Sequence, residues 1–446
     1  PTFFRDFGRS SMCIMKSMIL FLWAVLIATP VFAIDLFRDA DIEHTFSELS
    51  RPVIQAAGLS PKSIKILLLN DKKPNAFIMD NKHIFVSSGL VLNTTSAEMF
   101  QSIIAHEAAH IANGHFTRRK HNISVARTAS SFGVALALMT GAVSGNYELG
   151  VPLAIGASSS ARGVLLSYTR AEESAADQAA MRYLSSSNIN GQGMVNVLNI
   201  FIDQENLSLN RQDPYLRTHP LSRDRKRAVE ALIRVKEAIP TNLKDAYWHE
   251  RLVGKLSAFT QGPEWTLKRA EKSRSPDVRH LRRAVALSRQ GKLSSALIEM
   301  DKAQAHRPND PYLQELKAEL LMRNKRFAQS AQEYAKAVSM NPNNVLALSG
   351  YGRALLANKQ TTKALSVLKK ARNTDFRNTR LMRDLAVAYS KLGKNNMAAL
   401  VTAERYALSG NIKDAKIHAR RALKGLSLES PAWQRAKDVL DVKQLK

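Results

Sequence analysis

The sequence runs to 446 residues, enough for two hydrophobic cores, and sets 65 Lys and Arg against 38 Asp and Glu, a formal net charge of +27. Its one cysteine, Cys13, excludes an intrachain disulfide, so the fold must be held by packing even in an oxidising compartment. Residues 15–33 open on Lys16 and run through the apolar stretch Met18–Ala28 to Val31 and Ala33, a pattern that predicts a secretory signal cleaved after Ala33. The apolar run is shorter than the roughly 20 residues a spanning helix needs. An exported chain does not meet nucleic acid, and the sequence holds no nucleic-acid motif.

Residues 35–59 predict a helix with apolar positions at Ile42, Phe46 and Leu49, closed by Gly58. Ile64–Leu69 and His83–Val86 are short apolar runs bounded by Asn70, Asp71, Asp80 and Asn81, and predict strands of a small sheet. An edge strand here can hold an extended peptide by backbone hydrogen bonding; an ordinary core strand is the other reading. Thr95 as N-cap with Glu98 three residues on predicts a capping box, opening a helix whose Met99, Ile103 and Ile104 form an apolar face. That helix carries His106, Glu107 and His110, an HExxH pattern. Two imidazoles four residues apart leave one helix face about a turn apart, with the acid beside them, so the three can share a metal. His115 lies nearly half a turn from His110 and reads as a structural histidine.

Residues 132–157 are small and apolar but broken by Gly141, Gly145, Glu148 and Pro152, and predict a flap over the cleft or a lipid-touching patch. A zinc ion that activates water needs a third protein ligand and an open fourth position. Glu173 and Asp177 stand four apart in an alanine-rich segment that predicts a second helix able to pack closely on the first, with Glu172 also within reach. Glu173 is then the candidate ligand, and Asp177 the acid that orients a ligand histidine.

HExxH followed by ExxxD on a second helix resembles the M48 family of zinc metallopeptidases, matched here by His106, Glu107, His110, Glu173 and Asp177. Phe37–Glu43, Ala56–Leu59, Asn75–Phe77 and Ile84–Leu90 also resemble its periplasmic members. The resemblance implies one zinc ion per chain on His106, His110 and Glu173, with Glu107 handling the proton of water. His219 and Pro220 look like the His-Pro motif that follows ExxxD, which would put His219 near the metal and Arg225 near the substrate carbonyl. Two roles compete for His219: capping the fourth zinc position and holding the enzyme latent, or steadying the oxyanion with Arg225.

From about residue 265 a 34-residue period sets in. Ala284, Ala318, Gly352 and Ala386 keep it, as do Leu287, Leu321, Leu355 and Tyr389, with small residues again at Ala296, Ser330, Ala364 and Ala398. This period is the signature of tetratricopeptide repeats, which stack into a superhelix with a concave face for extended peptide or a partner protein. The fourth unit departs at Arg405, and Gly410–Leu423 predicts a further helix. From Trp265 onward stand 37 Lys and Arg against 15 Asp and Glu, leaving 22 of the net +27 there, a field that draws acidic polypeptide or anionic lipid headgroups.

The expected fold is therefore mainly α: a signal region at 1–33, an α+β zincin-like metallopeptidase domain with a small sheet at 34–250, and an α-helical repeat superhelix at 265–446. By resemblance, that order implies a zinc metalloendopeptidase of the Gram-negative periplasm with a chaperone-like role in outer-membrane protein assembly. Its partners would be unfolded or misassembled outer-membrane proteins and, through the repeats, the beta-barrel assembly machinery, with possible contact to a membrane surface. A peptide-binding repeat scaffold with a latent peptidase domain and an inner-membrane-anchored quality-control protease are the alternatives.

Overall fold

The computed structural model describes residues 35–115, 117–118, 168–202, 212–219, 223–234 and 239–442; the predicted signal segment and the segment 132–157 lie outside them. The described residues from Leu36 onward form one compact unit. Helix α1 (Ala40–Ala56) starts where Asp39 accepts from Ile42 N at 3.0 Å, and it buries the predicted face of Ile42, Phe46, Leu49 and Val53. Gly58 follows it at φ +71°, the left-handed conformation that suits a glycine at a helix end.

Strands β1 (Lys65–Leu69), β2 (Ala76–Ile78) and β3 (His83–Ser87) form a sheet of order β1-β3-β2. The β1/β3 pair is parallel and the β2/β3 pair antiparallel, with Phe77 opposite Phe85. No strand pairs with the outer edge of β2 among the described residues. After the short α2 (Ser88–Asn93) comes α3 (Ala97–Ala112), the HExxH helix. Its N-cap is Ser96, which accepts from Met99 N at 3.4 Å, and not Thr95 as the spacing predicted; Thr95 instead turns its N–H and hydroxyl onto the Met99 sulfur. Nearly every side chain of α3 is buried, because the sheet, α1, α4 (Arg170–Ser186), α5 (Gln192–Phe201) and α8 (Leu243–Thr260) surround it. Close approach explains the small residues. Ala109 meets Ala176 and Ala179 between α3 and α4, and a Cβ on Gly193 of α5 would stand 2.4 Å from the Glu98 backbone. Two shorter helices, α6 (Pro214–Thr218) and α7 (Arg223–Arg234), complete this half.

The boundary expected between residues 250 and 265 falls inside α8 or just after it. Trp248, Leu252 and Leu256 belong to the core around α3, whereas Ala258 packs into the first repeat core with Leu281 and Val285. One helix thus serves both halves. His249 of α8 is buried, with Nε2 2.9 Å from Thr94 Oγ1, and burial pushes its pKa down to about 4 from the ordinary 6.5. The folded chain keeps this ring neutral while the unfolded chain protonates it below about 6.5, so stability is present above that pH and falls as pH descends toward 4. The window is worth about 3 kcal/mol at 1.36 kcal/mol per unit. His249→Gln is expected to flatten the difference between urea melts at pH 7 and pH 5; an unchanged difference would remove His249 as its cause.

After α9 (Pro263–Ala270) come four antiparallel helix pairs: α10 (Pro276–Arg289) with α11 (Leu293–His306), α12 (Pro311–Arg323) with α13 (Phe327–Met340), α14 (Val345–Ala357) with α15 (Thr361–Thr374), and α16 (Thr379–Lys391) with α17 (Asn395–Leu408). Helices α18 (Ile412–Leu423) and α19 (Pro431–Asp441) close the array, the first of them where a further helix was predicted. The period reaches the turns. Asp310, Asn344 and Asn378 cap successive first helices through their side chains, and Gly291, Lys325, Lys359 and Gly393 take positive φ at successive intra-pair turns. At Gly352 a Cβ would lie 2.5 Å from the Leu368 side chain, which would have to shift to admit it. The structure is mainly α with one small sheet, as the sequence predicts.

Candidate metal centre

Helix α4 decides which glutamate faces the histidines. Thr169 caps it, accepting from Glu172 N at 3.1 Å while Glu172 Oε2 accepts from Thr169 N at 3.1 Å. Glu172 is thereby held at the helix start, 3.4 Å from Arg118. Glu173, one position round, is fully buried and turned onto α3.

His106 and His110 bring their Nε2 atoms to 3.0 Å from each other. Glu173 places Oε1 3.2 Å from His110 Nε2 and Oε2 3.4 Å from His106 Nε2. His219, the C-cap residue of α6, adds Nδ1 at 3.3 Å from His106 Nε2 and 3.0 Å from Glu173 Oε1. All four residues are buried, and their four donor atoms lie within 4.8 Å of one another. Bonds of 2.0–2.1 Å in a tetrahedron put ligand atoms about 3.3–3.4 Å apart, so these separations match the edges of a zinc coordination shell.

The charges agree with that fit. Glu107, Glu173 and Asp177 are all buried here against one guanidinium, that of Arg225; with neutral imidazoles the cluster lacks two positive charges, which a divalent cation supplies. Burial opposes a proton on His106, yet the Glu173 and Asp177 carboxylates outweigh it and raise its pKa to about 10, whereas burial takes His110 down to about 3. Opposing burial, His219 and His106 hold Glu173 well below the usual carboxylate range.

Asp177 Oδ1 stands 3.0 Å from His106 Nδ1, an ion-pair contact that leaves Nε2 facing the cluster. Arg225, expected near a substrate carbonyl, is instead engaged with the carboxylates. Its Nε and Nη2 meet Asp177 at 2.7 and 2.8 Å and its Nη1 meets Glu173 Oε2 at 2.7 Å. The guanidinium therefore orients the acid ligand and the acid that orients the histidine. Glu107 is fully buried, and neither of its carboxylate oxygens accepts a hydrogen bond among the described residues; His219 Nε2 stands 3.5 Å from Oε1. Burial pushes the Glu107 carboxyl up, against the pull of His219 and His106.

Three further side chains shape the site. His115 places Nδ1 2.9 Å from His110 Nδ1, so the histidine read as structural orients a candidate ligand. Tyr168 stacks on His110 at 3.8 Å between ring centres, and Tyr215 on His219 at 4.7 Å. No sequence pattern marked either tyrosine: Tyr168 stands just ahead of the α4 N-cap, and Tyr215 sits in the five-residue α6, too short to show a period.

Residues 38–233 match the family model Peptidase family M48, and residues 321–386 match a tetratricopeptide repeat model. The "Beta-barrel assembly-enhancing protease" of Escherichia coli (strain K12) is 20% identical over 85% of this chain and 78% of its own length. The "Putative beta-barrel assembly-enhancing protease" of Vibrio cholerae serotype O1 is 23% identical over 43% of this chain, which spans only 39% of that relative. The solved repeat protein YrrB, described as a TPR protein with an unusual peptide-binding site, covers 39% of this chain at 15% identity and a TM-score of 0.32. The chain thus carries a peptidase family M48 domain joined to tetratricopeptide repeats, and at low identity it is similar over most of its length to a beta-barrel assembly-enhancing protease.

Proposed function

We propose that this chain is a zinc-dependent metalloendopeptidase in a closed state, with His106, His110 and Glu173 as the permanent ligands and His219 as a removable fourth. The observation that carries this reading is the four-donor cluster with near-tetrahedral edge lengths beside a buried glutamate whose oxygens accept no hydrogen bond among the described residues. When bound, zinc supplies Lewis-acid polarisation of the scissile carbonyl and makes a water acidic enough to lose its proton near neutral pH. Glu107 takes that proton and returns it to the leaving amine. Asp177 and His115 hold the two histidine rings, and Arg225 holds Glu173 and Asp177. His219 stands between Glu107 and the ligand donors, so water and substrate enter only after it moves.

The unpaired outer edge of β2 suits an extended substrate, because strand addition satisfies backbone groups without regard to side-chain sequence. With the names of the relatives, this favours unfolded or misassembled outer-membrane proteins as substrates and a chaperone-like role in the Gram-negative periplasm beside the beta-barrel assembly machinery. The closed fourth position is also what a repeat scaffold with a latent peptidase domain requires. Rescue of an outer-membrane defect by Glu107→Gln would select the scaffold.

The test is His219→Ala. The purified variant is expected to retain one zinc per chain by elemental analysis and to cleave a fluorogenic peptide several-fold faster than the parent. Unchanged or slower cleavage would remove the latch, and absence of zinc from the parent protein, purified without chelators, would remove the hydrolase.

A further inference from the structure

Most of the net positive charge lies in the repeat half, and one part of it converges on a groove between α16, α17 and α18 with a volume of about 540 Å³. Arg383 of α16, Arg405 of α17, and His418 and Arg421 of α18 line it, and no acidic residue does. The acids of these helices are engaged elsewhere. Glu404 bonds Arg372 at 3.0 Å and Arg435 at 2.7 Å, Asp384 bonds Arg353 at 2.7 Å, and Asp414 accepts from Asn411 at 2.7 Å. Arg383 shares Asp384 at 3.1 Å, but neither Arg405 nor Arg421 has an ion-pair partner among the described residues. Arg405 is held in place by a ring instead: its guanidinium lies 4.5 Å from the centre of Tyr406, whose other neighbour, His418, stacks at 5.5 Å.

Between these cations the lining is apolar at Ala398, Ala399 and the exposed Val387, and Ser390 and Asn395 add groups that can bond a backbone. Guanidinium forks match carboxylates in two parallel hydrogen bonds, and an apolar strip beside them takes a neighbouring aliphatic side chain. We propose that this groove captures an extended acidic segment of a partner polypeptide, its carboxylate held by Arg405 and Arg421 and an adjacent apolar residue seated against Val387. A lipid surface is the poorer occupant, because headgroups offer charge to the arginines but no aliphatic side chain for the strip at Val387. The proposal rests on none of the residues assigned to hydrolysis.

It is tested in the full chain carrying Glu107→Gln, so that no probe is cut. The probe is a fluorescein-labelled decapeptide alternating Leu or Val with Asp or Glu, beside a control in which Asn and Gln replace the acids. Fluorescence anisotropy in roughly 0.15 M salt is expected to show the acidic peptide binding about tenfold tighter than the amide control, and Arg405→Gln with Arg421→Gln removing that advantage at an unchanged melting temperature. Arg421→Gln alone, at an exposed site, is expected to lose about threefold, and it gives the answer if the double variant does not fold. Equal binding of the two peptides, or full affinity in the folded variants, would overturn the proposal. Lost binding to phosphatidylglycerol vesicles with peptide affinity intact would also overturn it, and would assign the groove to a membrane.

Discussion

Glu107→Gln is expected to retain one zinc per chain and to lose peptide cleavage by about 10²–10⁴-fold, the contribution usual for a positioned general base. Gln matches Glu in volume, which matters at a position with no exposed surface, where a smaller residue would leave a cavity. The glutamate is not among the four donors of the cluster, so its loss does not empty the metal site. What the amide cannot do is accept a proton. That function gives a reason for a buried carboxylate that has no hydrogen-bond donor among the described residues, an arrangement that costs about 1–3 kcal/mol. Elemental analysis and fluorogenic-peptide cleavage on one preparation check both halves of the expectation. Full activity with zinc bound would remove Glu107 from the proton transfer.

Much of this site could be read in the sequence because its pieces are local. His106, Glu107 and His110 share one turn of one helix, and Glu173 and Asp177 share a turn of another, so helical spacing alone aligned each set. The choice of Glu173 over Glu172 rested on the resemblance and the ExxxD spacing; the Thr169 capping box, which uses Glu172 at the helix start, gives its physical reason. The resemblance placed His219 near the metal, but the side of the donor set it joins depends on where α6 ends. That is a tertiary fact. Arg225 was assigned toward a substrate carbonyl, and here lies on two carboxylates, because the ionic needs of a buried cluster cannot be summed before its members are known to meet.

In the repeats the 34-residue register was legible down to Gly352, since every unit meets an equivalent neighbour and repeats its packing demand. The helix that joins the halves was not. Asp39, Asp41, Arg251 and Lys255 are of types that chains usually leave in solvent, and only the folded chain draws their side chains together out of it.

Arg251→Ala is expected to cost about 3–5 kcal/mol, more than any surface change in the repeats. Arg251 of α8 has no exposed surface. Its Nε bonds Asp41 of α1 at 3.1 Å, Nη2 bonds the repeat cap Asp310 at 3.1 Å, and Nη1 bonds Tyr247 Oη at 2.9 Å. Lys255, one turn on, bonds Asp39 at 2.8 Å and lies 3.4 Å from Asp41. Burial works against the charge on Arg251, but Asp41 and Asp310 overcome it and raise its pKa; against the same burial, Arg251 and Lys255 lower that of Asp41. Truncation leaves Asp310 and part of the Asp41 charge buried without a cation, which is where the cost arises, and it removes a side chain that bonds to both α1 and α12 from α8. Arg251→Lys keeps the charge but cannot form two parallel bonds to Asp310, and should fall between the two. Asp310→Asn in the Arg251→Ala background is expected to recover more than about 1 kcal/mol, since it removes the stranded charge while an Asn can still cap α12. Urea melts followed by Trp fluorescence and by far-ultraviolet circular dichroism should coincide in the parent and separate in Arg251→Ala, as the repeats lose their hold on the peptidase half. A loss under about 1 kcal/mol, or a variant whose two melts still coincide, would mean that the apolar surface of α8 joins the halves without this ion network.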